Sequence, residues 1–298
     1  IGNHDSYPAF QFPPLGPFHA YDSAATSFAR FLDPASVATM KKGMYYTTMI
    51  APRLRLVVFN SLAYYIYNRM VDTSDRDPGG HLAWLRETLD GARARGELVV
   101  LASHIPPGYD EYEVQQQSHA PLNDLLADTL AEYQGNPIVA GFYGHNHIVS
   151  FRLMRASDTD PKSSNAASVI FTSGAVSPLI ENPSVTLFKY SRDYPFTILD
   201  QTVYFFDLVE ANRKGRIEWK EAFQATRDYG MKDLSTTEVT SLISRLKTNR
   251  TLFDAYFANM DLYVNTRVPA CDDKCWRRVA CCMDNTRDSA VRSCLASV

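Results

Sequence analysis

Four of the seven histidines stand where a scaffold can put a side chain to chemical use. His104 follows the apolar run ELVVLAS, His145 and His147 follow NPIVAGFY in a GHNH loop, and His4 lies in GNHD at the head of the chain. Loops held at the ends of buried strands are where rigid folds present reactive groups. Neutral imidazole suits zinc, manganese or iron, and a carboxamide oxygen such as that of Asn3 adds a harder donor. Two such cations about 3.5–4 Å apart polarise a phosphoryl oxygen, generate hydroxide near neutral pH and stabilise a leaving oxygen. Hydrolysis of a phosphate ester is the natural reaction for this set.

Blander roles suit the other residues of interest. His19, His81 and His119 lie outside such motifs and are expected to pack or to face solvent. Tyr64 and Tyr65 are read as packing at a strand end, and Trp84 as core. The stripe Leu252, Phe253, Phe257 has helical spacing, which favours interior packing over a lipid-facing patch.

The positioning elements follow from periodicity. RLRLVVFN (residues 53 to 60) alternates and then runs apolar, as a strand entering a buried sheet does. DPGG (Asp77 to Gly80) is a turn, and Leu82, Leu85, Leu89 and Ala92 then mark one helical face up to Gly96. ELVVLAS is a short buried strand, NPIVAGFY another, and SVIFTSGAVSP (residues 168 to 178) a third that closes into a turn. Residues 156 to 167 have the composition of a surface loop. Strand, helix and strand in succession give an α/β layered domain. After about residue 222 the pattern is helical: Ser235 and Glu238 have capping-box spacing, and Val239, Leu242, Ile243 and Leu246 form a face.

Composition bounds the rest. With 298 residues, 45% of them apolar, the chain can bury a sizeable core. A formal charge of −3 and the lack of Lys/Arg runs argue against a nucleic-acid partner held by bulk electrostatics. No apolar stretch is long enough to span a bilayer. All five cysteines fall between Cys271 and Cys294, with Cys282 beside Cys281, which reads as two local disulfides and one spare thiol, hence an oxidising compartment. Asn249-Arg250-Thr251 is a glycosylation sequon. The chain opens without an initiator Met or signal peptide and reads as a piece of a longer protein.

GNHD, then HIPPG, then GHNH, in this order, resembles the calcineurin-like metallophosphoesterases. GNHD with the following FPP, NSLAYY, DPGGHLAWL and HIPPG resembles the acid sphingomyelinase branch, as does the terminal cysteine pattern. The resemblance covers essentially the whole chain. It implies an α/β fold, the four-layer α-β-β-α metallophosphoesterase sandwich, over residues 1–222. A C-terminal helical, disulfide-stapled subdomain would follow over residues 223–298. It implies two divalent metal ions, zinc being expected, with Asn3, His104 and His145 on the second and His147 on the first. His4 would be the general acid, protonating the leaving alkoxide as hydroxide attacks phosphorus in line, with Asp5 supporting it. The disulfides implied are Cys271 with Cys275 and Cys281 with Cys294.

Function by resemblance is cleavage of sphingomyelin to ceramide and phosphocholine by a secreted or lysosomal enzyme in transient contact with membrane surfaces. Hydrolysis of nucleotides or other small phosphodiesters on the same scaffold is the alternative enzyme reading, and a non-catalytic phospholipid- or partner-binding relative a third. Two departures matter. The family's D-x-H and G-D-x-x-D motifs, which supply a terminal and a bridging aspartate, have no counterpart here, so the N-terminal part of the domain is expected to be missing and these 298 residues alone to be inactive or badly impaired. Val185 stands where relatives often place an aromatic near the substrate.

Overall fold

A computed structural model describes residues 1–133, 135–155, 166–177, 181–262 and 271–297. Helices α1 (His19–Phe28) and α2 (Pro34–Gly43) precede strands β1 (Tyr46–Ala51) and β2 (Leu54–Val58). Then come α3 (His81–Ala94), β3 (Leu98–Ala102), α4 (Ala120–Ala131), β4 (Ile138–Tyr143), β5 (Ser150–Arg155) and β6 (Ala166–Thr172). They are followed by β7 (Ser184–Tyr190), β8 (Ile198–Phe205), α5 (Leu208–Lys214) and β9 (Lys220–Gln224). The last helices are α6 (Ala225–Asp228), α7 (Thr236–Leu246), α8 (Arg250–Met260), α9 (Asp273–Asp284) and α10 (Asp288–Ala296). The expected surface loop lies outside the described residues over 156–165, as does Pro178.

Among the described residues, six strands form one sheet in the order β1-β2-β3-β4-β6-β5, and β7, β8 and β9 form a second. Strands β2, β3, β4 and β6 run parallel, and β1 and β5 close the edges antiparallel. Parallel strands are apolar on both faces because both are covered. In β3, Val99 and Leu101 pack with the α3 and α4 side chains Leu85, Leu89, Leu126 and Leu130, while Leu98 and Val100 face the other way with Leu54. The α3 face is the one its spacing dictates: Leu82, Leu85, Leu89 and Ala92 are all buried. Each large aliphatic side chain so buried contributes about 1.5–3 kcal/mol.

The second sheet packs on the first through rings. Phe188 of β7 meets Phe142 and Phe171 edge-on, with centroids 4.8 and 5.4 Å apart. Helices predominate from Ala225 onward, and these helices share a core with the sheets. Val239, Leu242 and Ile243 of α7 cluster with Phe151, Val169 and Phe171. Phe253 and Met260 of α8 are buried there too, so the apolar stripe of that helix faces inward.

The α7 cap is only half the expected box. Ser235 Oγ accepts from Glu238 N–H at 3.4 Å, but the Glu238 carboxylate accepts from Lys232 N–H, while Ser235 N–H donates to Asp233. Cys271–Cys275 and Cys281–Cys294 are disulfides with S–S separations of 1.96 and 1.93 Å, and Cys282 is a buried free thiol. The second bridge ties α9 to α10. No described helix is long and apolar enough to cross a membrane.

Candidate active site

The site forms where the parallel strands β2, β3 and β4 end, the edge at which open α/β sheets bind ligands. Ser103, the residue after β3, anchors the loop that carries His104. Its N–H donates to Phe142 O at 3.1 Å and its hydroxyl to Phe59 O at 2.7 Å. The loop after β4 is tied to its neighbour by Gly144 N–H donating to His104 O at 3.0 Å. His145 and His147 both adopt positive φ, at 72° and 59°, conformations that non-glycine residues hold only when surrounding structure compels them.

The GNHD turn reaches this edge from the chain's other end. Asp5 N–H donates to Gly2 O at 3.1 Å and Phe10 N–H to Asn3 O at 2.8 Å. Gly2 passes so close to His104 that a Cβ on it would lie 3.2 Å from that ring.

Asn3 is the point of convergence. Its Oδ1 lies 2.7 Å from His104 Nε2 and 3.3 Å from His145 Nδ1, and Asn3 is 6% exposed. The rings of His104 and His145 stand edge to face with centroids 5.1 Å apart. Burial, helped by His147 and His4, pushes His104 down to about 4. Burial and then His104 push His145 to about 3. Both rings therefore stay neutral, with a lone pair to offer, from mildly acidic pH upward.

His147 and His4 line the same cavity of about 280 Å³, together with Tyr65, Asp110, Gln117 and Glu181. His147 Nδ1 is buried without a hydrogen-bond partner, 3.7 Å from Glu181 Oε1. His4 is exposed at the cavity wall, edge-on to Phe10 with centroids 5.0 Å apart. Asp5 turns away from the cavity. Its Oδ2 accepts from Gly2 N–H at 2.7 Å, so the carboxylate braces the turn that presents Asn3 and His4. His81 is a core residue whose Nε2 donates to Pro14 O at 2.8 Å while its Nδ1 has no partner; His119 stands at the start of α4, and His19, at the start of α1, lines a second cavity with Gly2, Asp5 and His104.

Four residues of the cavity are not apparent from sequence patterns. Tyr64 packs in the core as expected, but Tyr65 lies edge-on to His145 with centroids 5.2 Å apart and lines the cavity beside Asn3. Gln117 closes a run of three glutamines, and Glu181 lies in the segment before β7. Asp110, 6% exposed, is raised to about 6 by burial and then by the Glu111 carboxylate. Glu111 is itself held in a fully buried fork by Arg152, with Nε to Oε1 at 2.6 Å and a second nitrogen to Oε2 at 2.5 Å.

The donor set fits a divalent cation in type. Asn3 Oδ1, His104 Nε2 and His145 Nδ1 are three neutral donors close to one another, and the unpartnered His147 Nδ1 beside Glu181 is a donor for a second, neighbouring cation. Among the described residues, no three His, Cys, Asp or Glu side chains form a metal cluster by themselves. The third donor around His104 and His145 is a carboxamide.

Comparison with known proteins gives this geometry a context. The family model for the acid sphingomyelin phosphodiesterase C-terminal region matches residues 161–298. The cyclic GMP-AMP phosphodiesterase SMPDL3A of Rattus norvegicus is 30% identical over 99% of this chain and 66% of its own length. Sphingomyelinase phosphodiesterase C of Dictyostelium discoideum is 29% identical over 100% of this chain and 68% of its own. Acid sphingomyelinase-like phosphodiesterase 3b of Homo sapiens is 28% identical over 99% and 66%. The chain thus spans about two thirds of the length of these relatives.

Proposed function

The chain belongs to the acid sphingomyelin phosphodiesterase family, and from that premise we propose that it carries the cation-binding and proton-donating part of a metal-dependent phosphodiester hydrolase. The observation that supports this most is the meeting of Asn3 Oδ1 with His104 Nε2 and His145 Nδ1, brought from three separate segments. Two divalent cations, zinc by donor type, would supply the activated water and the charge that stabilises the phosphoryl oxygens. Asn3, His104 and His145 would hold one and His147 the other.

The remaining work falls to residues of the chain. His4, exposed on the cavity wall, holds a proton and delivers it to the departing alkoxide oxygen. Asp5 keeps the GNHD turn closed so that Asn3 and His4 face the same cavity. Tyr65 and Phe10 supply an apolar flank that limits water around the reacting phosphate. Three neutral donors leave a cation's charge uncompensated, so the 298 residues alone should hold it weakly, and activity is to be measured on the whole protein.

The substrate we favour is sphingomyelin, cleaved to ceramide and phosphocholine at a transiently contacted membrane surface. Hydrolysis of a nucleotide phosphodiester is the second reading, because relatives named for cyclic GMP-AMP are as similar to this chain as those named for sphingomyelin. No role with polymeric nucleic acid is proposed. Two disulfides suit a secreted or lysosomal protein. Asn249 is exposed, and a glycan on its nitrogen would leave its Oδ1 free to cap α8 through Leu252 N–H at 3.0 Å. Residues 1–222 would be the catalytic unit and 223–298 its helical, disulfide-stapled flank.

Incubating the protein with zinc and either sphingomyelin vesicles or cyclic GMP-AMP separates these readings by product. Release of phosphocholine is expected. Nucleoside phosphates alone would establish the second reading, and no hydrolysis of either substrate by the whole protein would leave only a binding role.

A further inference from the structure

We infer that Gln117 is a positioning residue that fixes which nitrogen of His145 is presented to Asn3, an inference that rests on the cation-dependent reading above. Gln117 is 6% exposed, and its Oε1 lies 2.8 Å from His145 Nε2. The orientation of its amide is set from the far side. Gln117 Nε2 donates to Gln115 O at 3.3 Å, and a main-chain carbonyl can only accept, so the amide oxygen must face the imidazole.

That oxygen in turn accepts only, so His145 Nε2 carries the ring's single proton. A neutral imidazole has one N–H, which leaves Nδ1 as the lone pair. Nδ1 points at Asn3 Oδ1 across 3.3 Å. Two lone pairs face each other there with no hydrogen between them, an arrangement that repels unless a positive charge sits against both. Gln117 thereby makes His145 demand a cation, as partners outside the ligand shell do when they fix a histidine's tautomer and orientation.

The loop that brings Gln117 is held without help from His145. Gly108 N–H donates to Asn123 Oδ1 at 2.8 Å, Tyr109 OH to Asp288 Oδ1 at 2.6 Å, and Arg152 donates to Pro107 O at 2.9 Å. The same guanidinium forks onto Glu111. Main-chain bonds complete the frame, with Gln117 N–H donating to Gly108 O and Ile66 N–H to Gln117 O. The glutamine therefore orients the histidine and not the reverse.

The test reads the ring directly. Protein labelled with 15N-histidine and stripped of cations is examined by long-range 15N–1H correlation. The wild-type spectrum should show His145 protonated at Nε2 and bare at Nδ1. Gln117→Leu should lose that preference and bind zinc about 10–100-fold more weakly by calorimetry. Gln117→Glu, which keeps an acceptor, should retain the Nε2–H form. Protonation of His145 at Nδ1 in the wild type, or a Gln117→Leu protein with unchanged tautomer and unchanged zinc affinity, would overturn the inference. Should Gln117→Leu fail to fold, the wild-type spectrum decides alone. No substrate enters the spectrum, so failure to hydrolyse a phosphodiester would sink the functional reading without touching this result.

Discussion

Replacing His4 by alanine should lower kcat on sphingomyelin by about 10²–10⁴-fold while leaving zinc occupancy and KM close to wild type. The size follows from its role. A departing alkoxide is a poor leaving group, and a positioned acid contributes that much by protonating it as the bond breaks. His4 is exposed on the cavity wall, whereas Asn3, His104 and His145 meet deeper in, so its loss removes a proton and no ligand. A diester with a nitrophenolate leaving group needs little protonation, and with it the loss should shrink to a few-fold. Equal losses on both substrates would show that His4 does not act as the acid.

The second large effect concerns folding. Glu111→Ala should destabilise the protein by about 3–5 kcal/mol, because it strands a guanidinium that is fully buried beneath the site. Replacing both partners together, Glu111→Leu with Arg152→Met, should recover most of that, since a buried pair exchanged for apolar side chains is often neutral. Ser150 Oγ, which donates to Glu111 Oε1 at 2.6 Å, and Pro107 O lose partners and keep the recovery incomplete. Thermal unfolding checks both variants, and a single-variant cost below about 1 kcal/mol would contradict the assignment.

Neighbouring Asp110 acts in the opposite sense. Its folded-state value is raised from 3.8 to about 6, so the folded protein binds a proton there that the unfolded chain has released. Stability from this group is full below about pH 4 and is lost as pH rises through about 6, by on the order of 2–3 kcal/mol. Asp110→Asn should accordingly stabilise the protein at pH 7.5 and leave it little changed at pH 4.

Much of the catalytic scaffold is legible in the sequence because its signals are local. The face of α3 is written in Leu82, Leu85, Leu89 and Ala92, and β3 in an unbroken apolar run that ends at the histidine it must present. Other elements carry no such signal. Strand β1 (YTTMIA) is a half-exposed edge with no apolar alternation, and its strandedness comes from pairing with β2. The Glu238 half of the α7 capping box goes elsewhere because Asp233 takes the Ser235 N–H first.

The site divides in the same way. Asn3 and the histidines stand in motifs with glycine or proline beside them. Gln117 matters only through a bond to a ring 28 positions later, and Glu181 only through its closeness to His147. Asp5, beside His4 in the chain, has its carboxylate occupied by the backbone of its own turn. Tyr65, read from its strand-end position as packing, becomes part of the site because the chain folds it against His145. Contacts of this kind are set by tertiary structure and leave no periodic trace.

The most direct test is anomalous diffraction at the zinc absorption edge from crystals of the protein grown with zinc. The expected result is a peak about 2.0–2.2 Å from Asn3 Oδ1, His104 Nε2 and His145 Nδ1 together. A zinc-replete, active protein with no peak among those three atoms would contradict it.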